Sequence, residues 1–135
     1  MHIELSSYVV APLIAWILAQ VLKYLGQAYK ASSFKDLSFL YKSGNMPSSH
    51  SALMLSLLTV IAFRDGTGSA LFAVVLVLAM IVLYDAINVR RSVGEQGPVV
   101  AELAEKAGLK PSIHLAMGHH ISEVVVGGAL GIVTA

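Results

Sequence analysis

The chain has no cysteine. That single absence excludes disulfide staples, thiolate nucleophiles and cysteine-bound metals, and it leaves the redox compartment unread. Charge is also scarce: 13% of the 135 residues are Asp, Glu, Lys or Arg, against about 25% in an ordinary soluble domain. With 56% hydrophobic residues, such a chain could show water only an improbable surface, and its composition points to a membrane. The net charge of +1 is built from scattered basic residues and no dense patch, so a nucleic-acid partner is not expected. No Lys or Arg precedes Lys23. The first apolar run therefore lacks the basic leader of a secretory signal and reads as an uncleaved anchor. Internal repeats, low-complexity tracts and a second domain are missing too, which leaves one membrane-embedded domain over residues 1–135.

Four apolar segments are present, at 5–22, 48–63, 69–87 and 117–135. A helix needs about 20 residues to cross a hydrocarbon core of about 30 Å, and none of the four is generous. A soluble helical core is the competing reading, and the composition opposes it. The first segment carries Pro12 and Gln20, with Trp16 and Tyr24 as anchor residues to consider. The third, rich in Val, Leu and Ile, is the clearest span. In the fourth, Gly127, Gly128 and Gly131 permit close helix contact. Between the third and fourth lies 92–114, which Gly94, Gly97 and Pro98 break early. After them Val99, Val100, Leu103, Ala104 and Ala107 recur at helical spacing opposite Glu102, Glu105 and Lys106, ending at Gly108. This predicts a short amphipathic helix lying at the interface; a solvated connector helix fits the same pattern. The fold class expected is all-α, an integral membrane bundle of about four transmembrane helices plus that short interfacial helix.

With those spans, Lys23, Lys30, Lys35, Lys42, Arg90, Arg91, Lys106 and Lys110 fall on one side of the membrane and only Arg64 on the other. Eight against one places the loaded side in the cytoplasm and both termini outside it. Three polar clusters lie on the loaded side: 47–50, Arg90-Arg91 and 118–123.

Pro47 presets the backbone ahead of a helix that opens with Ser48, Ser49 and His50, where amides, hydroxyls and the helix dipole can hold an anion. N-capping alone also accounts for the serines, but an imidazole on the first turn of a membrane helix needs a polar partner. Asp85 lies inside an apolar span, a costly position for a carboxylate unless it serves a purpose such as holding Arg90 or Arg91. Snorkelling arginines and simple mutual neutralisation are the competing accounts. His119 and Glu123 are four apart and on a helix would share a face, so the acid could orient the ring; His120 at three apart competes for the same acid. A metal site built from His114, His119, His120 and Glu123 is the alternative, without the spacing of a known zinc motif.

The runs at 44–52 (Gly-Asn-Met-Pro-Ser-Ser-His-Ser-Ala), 84–96 (beginning Tyr-Asp-Ala-Ile-Asn-Val-Arg-Arg) and 118–124 (Gly-His-His-Ile-Ser-Glu-Val), with Gly127 beyond, resemble the type 2 phosphatidate phosphatase and vanadium haloperoxidase superfamily. The closer likeness is to its divergent branch of small bacterial and plastid membrane proteins. The resemblance implies that His119 attacks phosphorus and Glu123 orients it, while His50 protonates the leaving oxygen and Ser48 binds phosphate, with Ser49 in place of the superfamily's glycine. It implies hydrolysis of a phosphomonoester or diphosphate through a phosphohistidine, with no metal or other cofactor. Lys42, Arg90 and Arg91 would neutralise the phosphoryl oxygens.

The sequence also departs from the superfamily. Lys35 is followed seven residues later by Lys42 where an arginine is expected, no arginine stands six residues before His119, and Glu123 replaces an aspartate. The superfamily core has six helices, so a homodimer would complete the bundle. The expected activity is that of a membrane lipid phosphatase acting on a phosphatidate, phosphatidylglycerophosphate or polyprenyl head group, in a bacterial plasma membrane with the site facing the cytoplasm. The alternatives are a non-catalytic membrane protein that binds anionic lipid or scaffolds a partner, and a small ion or proton pathway built on the histidines and Asp85.

Overall fold

The computed structural model describes residues 6–32, 46–109 and 118–135. Within them every regular element is helical: α1 (Ser7–Ala31), α2 (Ser49–Arg64), α3 (Ala70–Tyr84), a π turn (Asp85–Val89), α4 (Arg90–Lys106) and α5 (Ile121–Val133). Serine hydroxyls start three of these helices. Ser6 accepts from the Tyr8 amide, Ser48 from that of Ser51 and Ser69 from that of Phe72, each satisfying an amide that the helix itself cannot.

The helix α2 lies at the centre, packed against α5, α1 and α3. Tyr8 at the start of α1 donates its hydroxyl to Asp65 at the end of α2, 2.8 Å away, so these two helices run antiparallel. The short turn at 65–69 sends α3 back along α2. By contrast α5 runs parallel to α2, because Gly127 meets Ser48 and Gly131 meets Ala52. A Cβ at either glycine would strike the facing backbone carbonyl, so only glycine lets the two helices lie this close. On α1 the buried stripe is Ala15, Ala19 and Lys23, four residues apart on one face. The core is correspondingly rich in small residues, with Ala15, Ala19 and Ala52 fully buried together and Val60, Ile61, Val75 and Val124 buried as well, while many large aliphatic side chains such as Ile17, Val77 and Ile81 point outward. Apolar outside and small inside is the arrangement expected of a bundle whose solvent is lipid.

This is the all-α membrane bundle that the sequence predicts, with two of its boundaries moved. The first helix does not stop at Leu22 but runs through Lys23 to Ala31. The third segment and the expected interfacial helix are one continuous rod, Ala70–Lys106, 37 residues long. Gly94, Gly97 and Pro98 do not break it. Extending an existing helix needs no new nucleus, so residues of poor propensity can be carried along at a cost of about 1 kcal/mol per glycine and 3 kcal/mol for proline. The one irregularity is the π turn at 85–89, and it falls at the level of the polar clusters. Both Ser7–Ala31 and Ala70–Lys106 are long and apolar enough to cross a membrane; α2 and α5 are shorter apolar helices.

Candidate active site

Four elements bring their ends together on one side of the bundle: the second half of α1, the start of α2, the π turn and the approach to α5. Contacts across the described residues fix this junction. Ser48 N–H donates to the Glu123 carbonyl at 2.9 Å, tying the first residue of the α2 cap to the first turn of α5. His119 N–H donates to the Ala86 carbonyl at 3.2 Å, tying the approach of α5 to the π turn. Gly118 lies flush on the backbone of Arg90 and Arg91, where a Cβ would have no room. A π turn carries one extra residue per ring, which displaces a carbonyl from the helical ladder, and here the Ala86 carbonyl serves a neighbouring segment.

His119 is the centre of this arrangement. It is 6% exposed, and neither ring nitrogen has a hydrogen-bond partner among the described residues. A buried polar group is almost always bonded, so an imidazole with both nitrogens open is available to a ligand or a reacting atom. The charges of Glu123, Lys23, His50 and Arg90 all act on it. His50, on the first turn of α2, feels Arg90, Lys23 and Asp85. The two histidines, a lysine, an arginine and two carboxylates thus form one electrostatic cluster.

The serines divide in role. Ser48 is the N-cap, fully buried; its hydroxyl accepts from Ser51 Oγ at 2.9 Å and from Ser51 N–H at 3.4 Å, and its carbonyl receives Ala52 N–H. With its own amide committed to Glu123, Ser48 ties α2 to α5, while its hydroxyl accepts both bonds from Ser51 and keeps its own proton to donate. The amides of Ser49 and His50, next along the helix, have no acceptor among the described residues. These are the two amides left unpaired at this helix start, where the helix dipole favours negative charge.

Asp85 pairs with Arg90 through Nε, which picks out the arginine it holds. Arg91 pairs instead with Glu95 at 3.0 Å, one turn along α4. It lines a cleft of about 190 Å³ together with Gly94, Glu95, Gly118, His119 and His120. A second cleft, of about 320 Å³, opens on the other side between α1 and α5 and is walled by Lys23, Gln27, Lys30, Ser122 and Glu123 among others.

One expected relation takes another form. The helix α5 begins at Ile121 with His120 as its N-cap, so His119 precedes the helix and does not share a helical face with Glu123. The Glu123 carboxylate reaches back to accept from His120 N–H at 3.1 Å, the acidic limb of a capping box. Its influence on His119 is through charge. Lys42 and His114 lie outside the described residues. Among the described residues no three His, Asp or Glu side chains converge as a metal site.

Lys23 is the residue that sequence reasoning passed over, counting it only as a topological charge. It is 5% exposed and close enough to both histidines and Glu123 to act on each. The signal was its register: it continues the small-residue stripe Ala15–Ala19 by one further turn.

Residues 5–134 match the family described as "Divergent PAP2 family". The chain is also 39% identical, over 89% of its length and 85% of the relative's, to the uncharacterized membrane protein YuiD of Bacillus subtilis (strain 168). No solved structure matches it.

Proposed function

The chain belongs to the divergent PAP2 family, and we propose that it is a membrane phosphatase that hydrolyses a lipid phosphomonoester or diphosphate through a phosphohistidine. The observation that carries this reading is the buried His119 imidazole, open at both nitrogens among the described residues, beside a second histidine and two cations. In this reading His119 attacks phosphorus and expels the lipid alkoxide or phosphate, His50 supplies the proton that the leaving oxygen takes up, and water then cleaves the P–N bond. The amides of Ser49 and His50 and the Asp85-held Arg90 bind the phosphoryl oxygens, where charge develops in the transition state. Lys42 and Arg91 are further cations for the same oxygens. The small α1–α5 and α4 clefts admit a head group while the apolar exterior keeps the acyl or prenyl chain in lipid. The site faces the cytoplasm, and a homodimer supplies the rest of the six-helix bundle of the superfamily; migration as a monomer in mild detergent would remove the dimer.

The purified chain in detergent, assayed against phosphatidate, phosphatidylglycerophosphate and undecaprenyl diphosphate, is expected to release phosphate from at least one of them. Release falls by at least about 10³-fold in His119→Ala, is inhibited by vanadate and is insensitive to EDTA. Undiminished release in His119→Ala removes it as the nucleophile. No release from any lipid, with retained binding to anionic vesicles, favours the second reading, a non-catalytic lipid binder that uses the same phosphate cradle.

A further inference from the structure

We propose that Lys23 of α1 is the residue that grips the phosphate held against His119, taking the place of the arginine missing before it. The inference rests on the phosphate-site reading above and assigns it a residue from outside the three sequence clusters. Three observations support it. First, Lys23 occupies the inner stripe of α1 one turn beyond Ala19, at the level where α2 begins, and is 5% exposed. An ammonium taken out of water at this depth is costly unless negative charge faces it.

Second, no carboxylate is paired with Lys23 among the described residues. Glu123 is the carboxylate whose charge acts on Lys23, yet its Oε2 accepts from His120 N–H, and no ion pair joins Glu123 to Lys23 among the described residues. Asp85 is engaged by Arg90. Third, Lys23 stands on the wall of the cleft between α1 and α5, and its charge reaches His119, which lines the neighbouring cleft beside Arg91. A phosphate at the His119 imidazole would supply the charge that the lysine faces. Lysine acts here as a point charge with three donors, which suits an oxygen whose position shifts between ground and transition states.

The test compares wild-type protein with Lys23→Met, Lys23→Gln and Lys23→Arg as full chains in detergent, with Lys106→Gln as a control on an exposed lysine. Binding of inorganic phosphate and orthovanadate is read by calorimetry, thermal unfolding checks the fold, and lipid hydrolysis is run in parallel. Both neutral variants are expected to bind the oxyanions about 100-fold more weakly and to raise KM more than they lower kcat. Lys23→Arg is expected to retain binding within about tenfold, since the charge is kept, and Lys106→Gln is expected to match wild type. A folded Met or Gln variant that binds vanadate like wild type overturns the assignment of Lys23. Wild-type protein that binds neither oxyanion overturns it as well. Charge-dependent binding at Lys23 without hydrolysis of any lipid upholds Lys23 and sinks the phosphatase reading instead.

Discussion

At the scale of single residues, the site separates side chains that hold the backbone from those left open to a ligand. Glu123 does the first job visibly and the second only through its field. Glutamine can take the same capping position, so Glu123→Gln is expected to leave the unfolding temperature within about 2 °C of wild type, whereas Glu123→Ala loses the cap and costs about 1 kcal/mol. If the carboxylate charge also supports His119, phosphate release in Glu123→Gln falls at least about tenfold; equal turnover would reduce Glu123 to a structural cap. The sequence brought the buried His119 and the Asp85–arginine pair into view because each is a polar group in an apolar stretch. It misled on the His119–Glu123 geometry, because the spacing argument presumes that both residues are inside the helix. Where a helix begins is decided by its cap, and His120 takes that place. Lys23 was hidden for the opposite reason: a lysine just past an apolar run looks like a boundary charge until the register of the small residues before it is followed.

At the scale of elements, the site depends on how closely α5 lies along α2. Gly127 and Gly131 set that distance by direct contact with the Ser48 and Ala52 carbonyls, and Ser48 in turn is bonded to Glu123. Enlarging either glycine must push α5 away from the start of α2. Gly127→Val is expected to cost about 1–3 kcal/mol of stability, the usual range for overpacking a filled contact. Its phosphate release should fall more than that of an equally destabilised variant remote from the site. Thermal unfolding and turnover measured together check this; a folded Gly127→Val with wild-type turnover would disconnect the helix contact from the site. The glycines were readable as contact residues from their spacing, but their partner helix was not, since pairing of non-adjacent segments is written in no local pattern. The continuous rod of α3, π turn and α4 escaped for a related reason. Gly94, Gly97 and Pro98 score as breakers by propensity, and the preceding helix that overrides them is an effect of chain continuity.

At the scale of the whole molecule, the question is which face of the membrane carries the site. The eight-to-one charge count includes residues that a phosphate site would need in either orientation, so it has to be discounted before it is used. Removing Lys23, Lys42, Arg90 and Arg91 still leaves Lys30, Lys35, Lys106 and Lys110 against Arg64 alone, and Arg64 lies over the Tyr8 ring, 5.8 Å from its centroid, at the far end of the bundle. A bias of four against one, or three against one if Lys30 on the wall of the α1–α5 cleft is set aside as well, is what the positive-inside rule responds to. The expected orientation therefore has the site in the cytoplasm, and the α2–α3 turn outside. The absence of native cysteine makes the test clean. In intact cells, Ser43→Cys should resist a membrane-impermeant maleimide until the membrane is opened, while Thr67→Cys, in the exposed turn before α3, should label at once. Labelling of position 43 in intact cells would turn the bundle over and direct the search for substrate to lipids of the outer leaflet.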